Sequence, residues 1–180
     1  MANENNNTRS KKGPELGKVP DKLIKEQLKL PPQAVETERG LLGALLTHEH
    51  AFDEVCQQLI PEVFYLKIHQ YIYGAISELA LSQKSIDGIT VAEQLKKNGK
   101  FEEVGGYEYL AELTDIGTSA VSLGEYADII YDKFLARDLI RIASSIENQA
   151  FNDGTEIKNL TEYAAGQLFE LNQRRVKKEV

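Results

Sequence analysis

The sequence predicts an all-α protein: a compact helical subdomain over residues 31–118, then a long antiparallel helical hairpin over residues 119–173. Three observations carry this. Apolar residues recur at helical spacing in almost every segment after Pro31, and alternating β-branched runs are missing. The last third holds two long apolar stripes separated by Asn152-Asp153-Gly154, a turn signal.

Residues 1–30 are polar, Asn-rich and interrupted by Pro14, Gly17 and Pro20, which predicts a disordered tail with at most a short amphipathic turn at Leu23, Ile24 and Leu28. Pro31-Pro32 stops that tail and opens the first helix, PPQAVETERGLLGALL. Glu36 and Glu38 fall in its first turns, where carboxylates suit the positive end of the helix dipole. Ala34, Val35, Leu41, Leu42, Leu45 and Leu46 form a broad apolar stripe. Gly40 and Gly43 each cost roughly 1 kcal/mol against Ala inside a helix, so a closely approaching neighbour is expected to compensate.

A second helix is expected from His48 to Ile60, with Phe52, Val55, Cys56, Leu59 and Ile60 inward, and Pro61 ends it. A third runs from Lys67 to Ser82 on Ile68, Tyr71, Ile72, Ala75, Ile76 and Leu79. Thr90 with Glu93 reads as a T-x-x-E capping box for a helix to about Asn98. Gly105-Gly106 precede another, Tyr107 to Asp115. From Ser119 to Phe151 one helix of about 30 residues, some 45 Å long, is expected. A second helix on Ile157, Leu160, Ala164, Leu168 and Leu171 should fold back on it. Residues 174–180 read as the start of a linker.

The chain has 180 residues and net charge −7, and the charge is uneven. Residues 1–30 hold seven basic and four acidic side chains, while the other 150 hold 14 basic and 24 acidic, a net −10. Such a domain repels phosphate backbones at long range, which disfavours direct DNA binding. The lone Cys56 has no internal disulfide partner and reads as a reduced cytosolic thiol. The N-terminus lacks an apolar signal region and no apolar run is long enough to span a bilayer. His48 and His50 lie two apart, the wrong spacing for a helical metal pair, and no Cys or His cluster completes a shell. No G-x-x-x-x-G-K-[ST] loop, G-x-S-x-G or H-E-x-x-H occurs, so no catalytic, cofactor or metal residues are assigned.

The opening pattern Pro32, Glu36, Glu38, Leu42-Gly43-Ala44-Leu45-Leu46 resembles the start of DnaB-type replicative DNA helicases. The resemblance continues through Phe64-Tyr65, His69 with Ile72-Tyr73, Ile86-Asp87 with Ile89-Thr90, Val104-Gly105-Gly106 with Tyr109-Leu110, and Tyr126-Ala127 with Ile129-Ile130. It implies the N-terminal domain of such a helicase, ahead of a linker and a RecA-like motor that binds ATP, magnesium and DNA. It also implies a cytoplasmic hexamer whose N-terminal domains pair through their hairpins into a trimer-of-dimers collar, where primase docks. A helicase loader is left open as a further partner.

Stripes on more than one face of the hairpin exceed what two helices can bury, so a second copy is the expected cover. The dimer interface expected on that basis is Ile130, Phe134, Leu135, Leu139, Ile142, Leu160, Ala164 and Leu168, with Ile140 and Ile146 as the primase contact that the resemblance implies. The competing reading is a small nucleic-acid-binding protein that uses the helices of residues 90–113 and the basic tail. Lacking a phosphate loop, this 180-residue chain is expected to hydrolyse no ATP above background. DNA-stimulated phosphate release by the pure protein would overturn that expectation.

Overall fold

A computed structural model describes residues 30–118 and 122–178, and these described residues form seven α-helices and one 3-10 turn, with none in a strand. The chain divides into two units, Met1–Pro31 and Pro32–Val180. Nearly all of the first lies outside the described residues, as do the expected tail disorder and the turn at Leu23, Ile24 and Leu28. In the second unit, α1 spans Val35–Thr47, α2 Ala51–Val55, α3 Lys67–Leu81, α4 Gly88–Lys97 and α5 Gly106–Gly117. The hairpin is α6, Leu123–Ala150, and α7, Ile157–Lys178. Ser119 to Val121, expected to begin it, are outside the described residues.

Helix α1 is the axis of the body. Every residue from Gly40 to Leu46 is buried, and the helix touches α2, α3, α5 and α6. Its leucines share a core with Phe64, Ile72, Tyr73, Ile76, Leu95, Leu110 and Leu113. Tyr73 is buried to the hydroxyl, which donates to the Leu59 carbonyl at 3.1 Å. Burial raises its pKa far above the ordinary phenol value.

Two local expectations are corrected. The helix expected from His48 to Ile60 is only Ala51–Val55. His50 stands at φ 65°, and Ile60 is extended at φ −127° and 54% exposed rather than inward. Pro61 explains the second point, because a proline drives the residue before it out of the helical region. The capping box also lies three residues earlier. Asp87 Oδ1 accepts from the Ile89 and Thr90 amides at 2.8 Å, and Thr90 Oγ1 accepts from the Asp87 amide at 3.0 Å. Glu93 pairs instead with Lys96 at 2.7 Å. Residues 174–178, read from sequence as the start of a linker, are helical.

The crossing of α1 and α5 explains Gly43. A methyl group there would come 2.0 Å from the Leu113 carbonyl oxygen and 2.7 Å from the Gly117 nitrogen, distances no carbon tolerates. Gly117 is the reciprocal half, since its own added carbon would lie 2.0 Å from the Gly43 carbonyl carbon. Gly43→Ala is therefore expected to lower stability by about 1–3 kcal/mol in urea melts. Gly166→Ala in α7, where nothing lies within 4 Å, should raise it by up to about 1 kcal/mol.

Candidate functional site

Three groups of residues lie outside the plain apolar core. The first is a buried polar chain. Glu38 is 1% exposed, not on the helix surface, and its carboxylate accepts from the Tyr65 amide at 2.6 Å and the Leu66 amide at 3.5 Å. His69 Nδ1 lies 2.6 Å from the same carboxylate, and its Nε2 2.7 Å from the Tyr109 hydroxyl. A carboxylate can only accept, so Nδ1 carries the proton. The chain joins α1, the start of α3 and α5. Every member is spent on another, so it has the makings of a brace and not of a catalytic dyad. Burial raises the Tyr109 pKa as well.

The second group sits on two consecutive residues of α6. Arg137 donates to the Pro32 carbonyl at 2.8 Å and the Val63 carbonyl at 2.7 Å, and its guanidinium lies over the Tyr65 ring. Burial lowers its pKa, with Glu38 pulling the other way. Asp138 is 8% exposed and accepts from Arg141 on its own helix and from Arg174 on α7. Neither was singled out from sequence. The available signal was that the line Leu123, Ala127, Ile130, Phe134 reaches Asp138 by one further step of four, a carboxylate on an otherwise apolar face.

The third group is the outside of the hairpin. Leu139 is 46% exposed and Ile140 52%; Ile129, Phe151, Ile157, Tyr163, Leu168 and Phe169 are exposed too. Of the residues expected to pair with a second copy, Ile130 and Ile142 are 1% exposed and Leu160 is also buried. These three are consumed inside one chain: Ile130 joins the body core, and the other two are buried within the hairpin. Phe134, Leu135 and Ala164 are half-buried, as is Ile146, so Leu139 and Leu168 are the open members of the expected set. Phe169 and Ile157, which were left out of that interface set, are more open than either, although Ile157 was expected on the stripe that folds back on α6. Among the described residues no group of His, Cys, Asp and Glu is arranged to hold a metal, and no helix is long and apolar enough to cross a membrane. His48 Nε2 lies 3.2 Å from the Gly117 carbonyl, beside the α1–α5 crossing.

A helical body carrying a long hairpin with open apolar faces has a match among known proteins. The family model described as "DnaB-like helicase N terminal domain" matches residues 30–132, more than half of the chain. The chain belongs to this DnaB family. The replicative DNA helicase DnaB of Geobacillus stearothermophilus is 35% identical over 147 residues, 82% of this chain and 32% of that protein. The chain thus spans about a third of the length of the curated relatives it matches. The solved N-terminal domain of DnaB helicase from Mycobacterium tuberculosis superimposes with a TM-score of 0.73 at 29% identity, covering 78% of this chain and 99% of that one. A solved DnaB-like replicative helicase, described with its interactions with primase, gives 0.63 at 26% identity, covering 77% of this chain and 31% of that one. The chain is thus a DnaB N-terminal domain of the replicative helicase family, and its 180 residues include no motor phosphate loop.

The buried chain of the first group is checked by removing its centre. Glu38→Ala strands two amides and His69 Nδ1 at once and is expected to cost about 3–5 kcal/mol in denaturant melts. Tyr109→Phe removes a single hydrogen bond and should cost about 1 kcal/mol.

Proposed function

We propose that this chain is the assembly and docking domain of a replicative helicase, with no catalysis of its own. The observation that carries the reading is the hairpin surface. The body core is complete within one chain, yet Leu139, Leu168, Phe169 and Ile157 remain open on helices that extend from it. Apolar surface of this kind, on a domain otherwise strongly acidic, marks an interface.

Within this reading, two copies pair through their hairpins and such pairs build the collar of a hexamer. On α7 the positions Ile157, Thr161, Ala165, Leu168, Phe169 and Asn172 share one side by helical register, and Lys158 in the first turn is the one charged residue of that arc between Ile157 and Asn172. A two-fold interface repeats every residue it uses, so an uncharged strip avoids like charges meeting themselves. Leu139 with half-buried Leu135 and Ala164 extends that strip, and Ile130, Ile142 and Leu160 contribute only from beneath.

Ile140 and the half-buried Ile146 are assigned to primase. Ile140 follows Leu139 at about 100° around the helix, so its face stays open when Leu139 is covered. The relative described with its interactions with primase supports primase as the kind of partner. ATP, magnesium and unwinding then belong to the two thirds of the relatives that this chain does not cover, and the place of work is the cytoplasm.

The nucleic-acid reading has less support. Lys96 lies 2.7 Å from Glu93 and Lys100 2.8 Å from Glu103, so two lysines of the α4–α5 region are already matched by carboxylates.

Sedimentation equilibrium at micromolar concentration tests the pairing. The parent should show twice the chain mass, and Leu139→Asp or Leu168→Asp should restore the single mass, because a buried unpaired carboxylate is costly and is met twice. Ile140→Ala should keep the doubled mass and weaken binding of the cognate primase by about tenfold. A parent that already runs as a single chain, or aspartate variants that stay paired, would sink the reading.

A further inference from the structure

The hairpin seam carries one feature that apolar packing does not account for, the carboxylate of Asp138. It is 8% exposed and lies on the line that otherwise holds Ala127, Ile130, Phe134 and Ile142. Its two oxygens are divided. Oδ1 takes both Arg141 contacts, from Nε at 2.8 Å and Nη2 at 2.6 Å, and Oδ2 takes Arg174 Nη1 at 2.9 Å. The Tyr131 hydroxyl adds a 3.4 Å contact to the Arg174 carbonyl. The neighbouring Arg137 points the other way and holds the carbonyls of Pro32 and Val63.

We infer that Asp138 and Arg174 form a register pin: they choose, among near-equivalent packings, the one alignment of α7 along α6, and through Arg137 beside them refer that alignment to the body. The reason lies in α7. Leu160, Ala164 and Leu171 face the seam together with half-buried Gln167, while Ala165, Leu168 and Phe169 stand close by in register. A slip of one turn, about 5.4 Å, would set Ala164 in the place of Leu160, Leu168 in that of Ala164 and Leu171 in that of Gln167, so apolar character alone does not select the register. A charge pair across such a seam opposes a slip, because a slipped helix takes Arg174 away from Oδ2 and leaves Arg141, on α6 itself, to hold Oδ1 alone. Polar residues in apolar helical seams have this use elsewhere, at some expense in stability. The pin acts within one chain and stands whether or not hairpins pair. It decides, however, which residues of α7 lie beside Leu139, and so the shape of the outer face.

The test uses the 180-residue protein with Cys56→Ser and nitroxide labels at Lys133→Cys and Asn172→Cys, both exposed sites, diluted into unlabelled protein so that only distances within a chain are read. The parent should give one narrow distance. Asp138→Leu with Arg174→Leu should melt at the same temperature or higher, yet give a distribution broadened or displaced by about one helical turn. Arg174→Gln should speed amide exchange in residues 167–174 by about three- to tenfold and leave α1 and α3 unchanged. Narrow parent-like distances in the double variant would overturn the pin. Faster exchange spread equally over α1 and α3 would also overturn it, since that marks general support of the fold.

Discussion

The contact on which the rest of the fold depends is the backbone crossing of α1 and α5 at Gly43 and Gly117. Helix axes usually stay 8–10 Å apart because side chains hold them there. Two facing glycines remove that spacer, and the peptide groups meet directly. The close crossing sets where α5 ends, and therefore where the chain turns toward the hairpin. It also brings Tyr109 of α5 within reach of His69, and Glu112 of the same helix onto Arg39 of α1. A wider crossing would break the buried polar chain before it disturbed much apolar area. The two glycines and the Glu38 network are thus parts of one arrangement.

The polar groups of this domain divide by what they join. Glu38 and His69 join elements inside the body, Arg137 joins the body to α6, and Asp138 joins α6 to α7. Each is a buried or half-buried polar group with at least one partner on a different element. Apolar packing supplies most of the favourable free energy but is weakly directional. Charges that must meet specified partners supply direction, because a misplaced one keeps its desolvation cost and loses its compensation. A domain whose hairpin must present defined outer faces has need of such direction at both of its joints.

Much of this was legible in advance. Periodicity placed α1, α3, α6 and α7, and the two glycines in α1 announced a close neighbour. What escaped were features decided over long sequence separations. Glu38 reads as a helix-dipole carboxylate, because the amides that claim it lie 27 and 28 residues away and His69 lies 31 away. Ile130, Ile142 and Leu160 read as interface residues because periodicity reports that a face is apolar without saying whether the same chain covers it. The Asp87 cap was missed for a smaller reason: Thr90 and Glu93 also fit a capping pattern, and only the observed backbone decides between them. Local chemistry proposed two answers there, and tertiary context chose.

The excess negative charge of residues 31–180 bears on how the open apolar positions can remain open. Exposed apolar surface promotes indiscriminate association, and net charge of one sign opposes it at distances up to the Debye length, about 8–10 Å in physiological salt. Repulsion acts between any two copies in any orientation, whereas burial of Leu139, Leu168 and Phe169 rewards only the orientation that matches them. The same charge therefore penalises wrong encounters more than the right one, provided the matching strip is itself uncharged. The α7 strip from Ile157 to Asn172 meets that condition at its central positions. A partner with a basic surface would meet attraction over the whole body and apolar reward only at the exposed side chains that it covers. Charge would then set how fast such a partner arrives, and the apolar contact how long it stays.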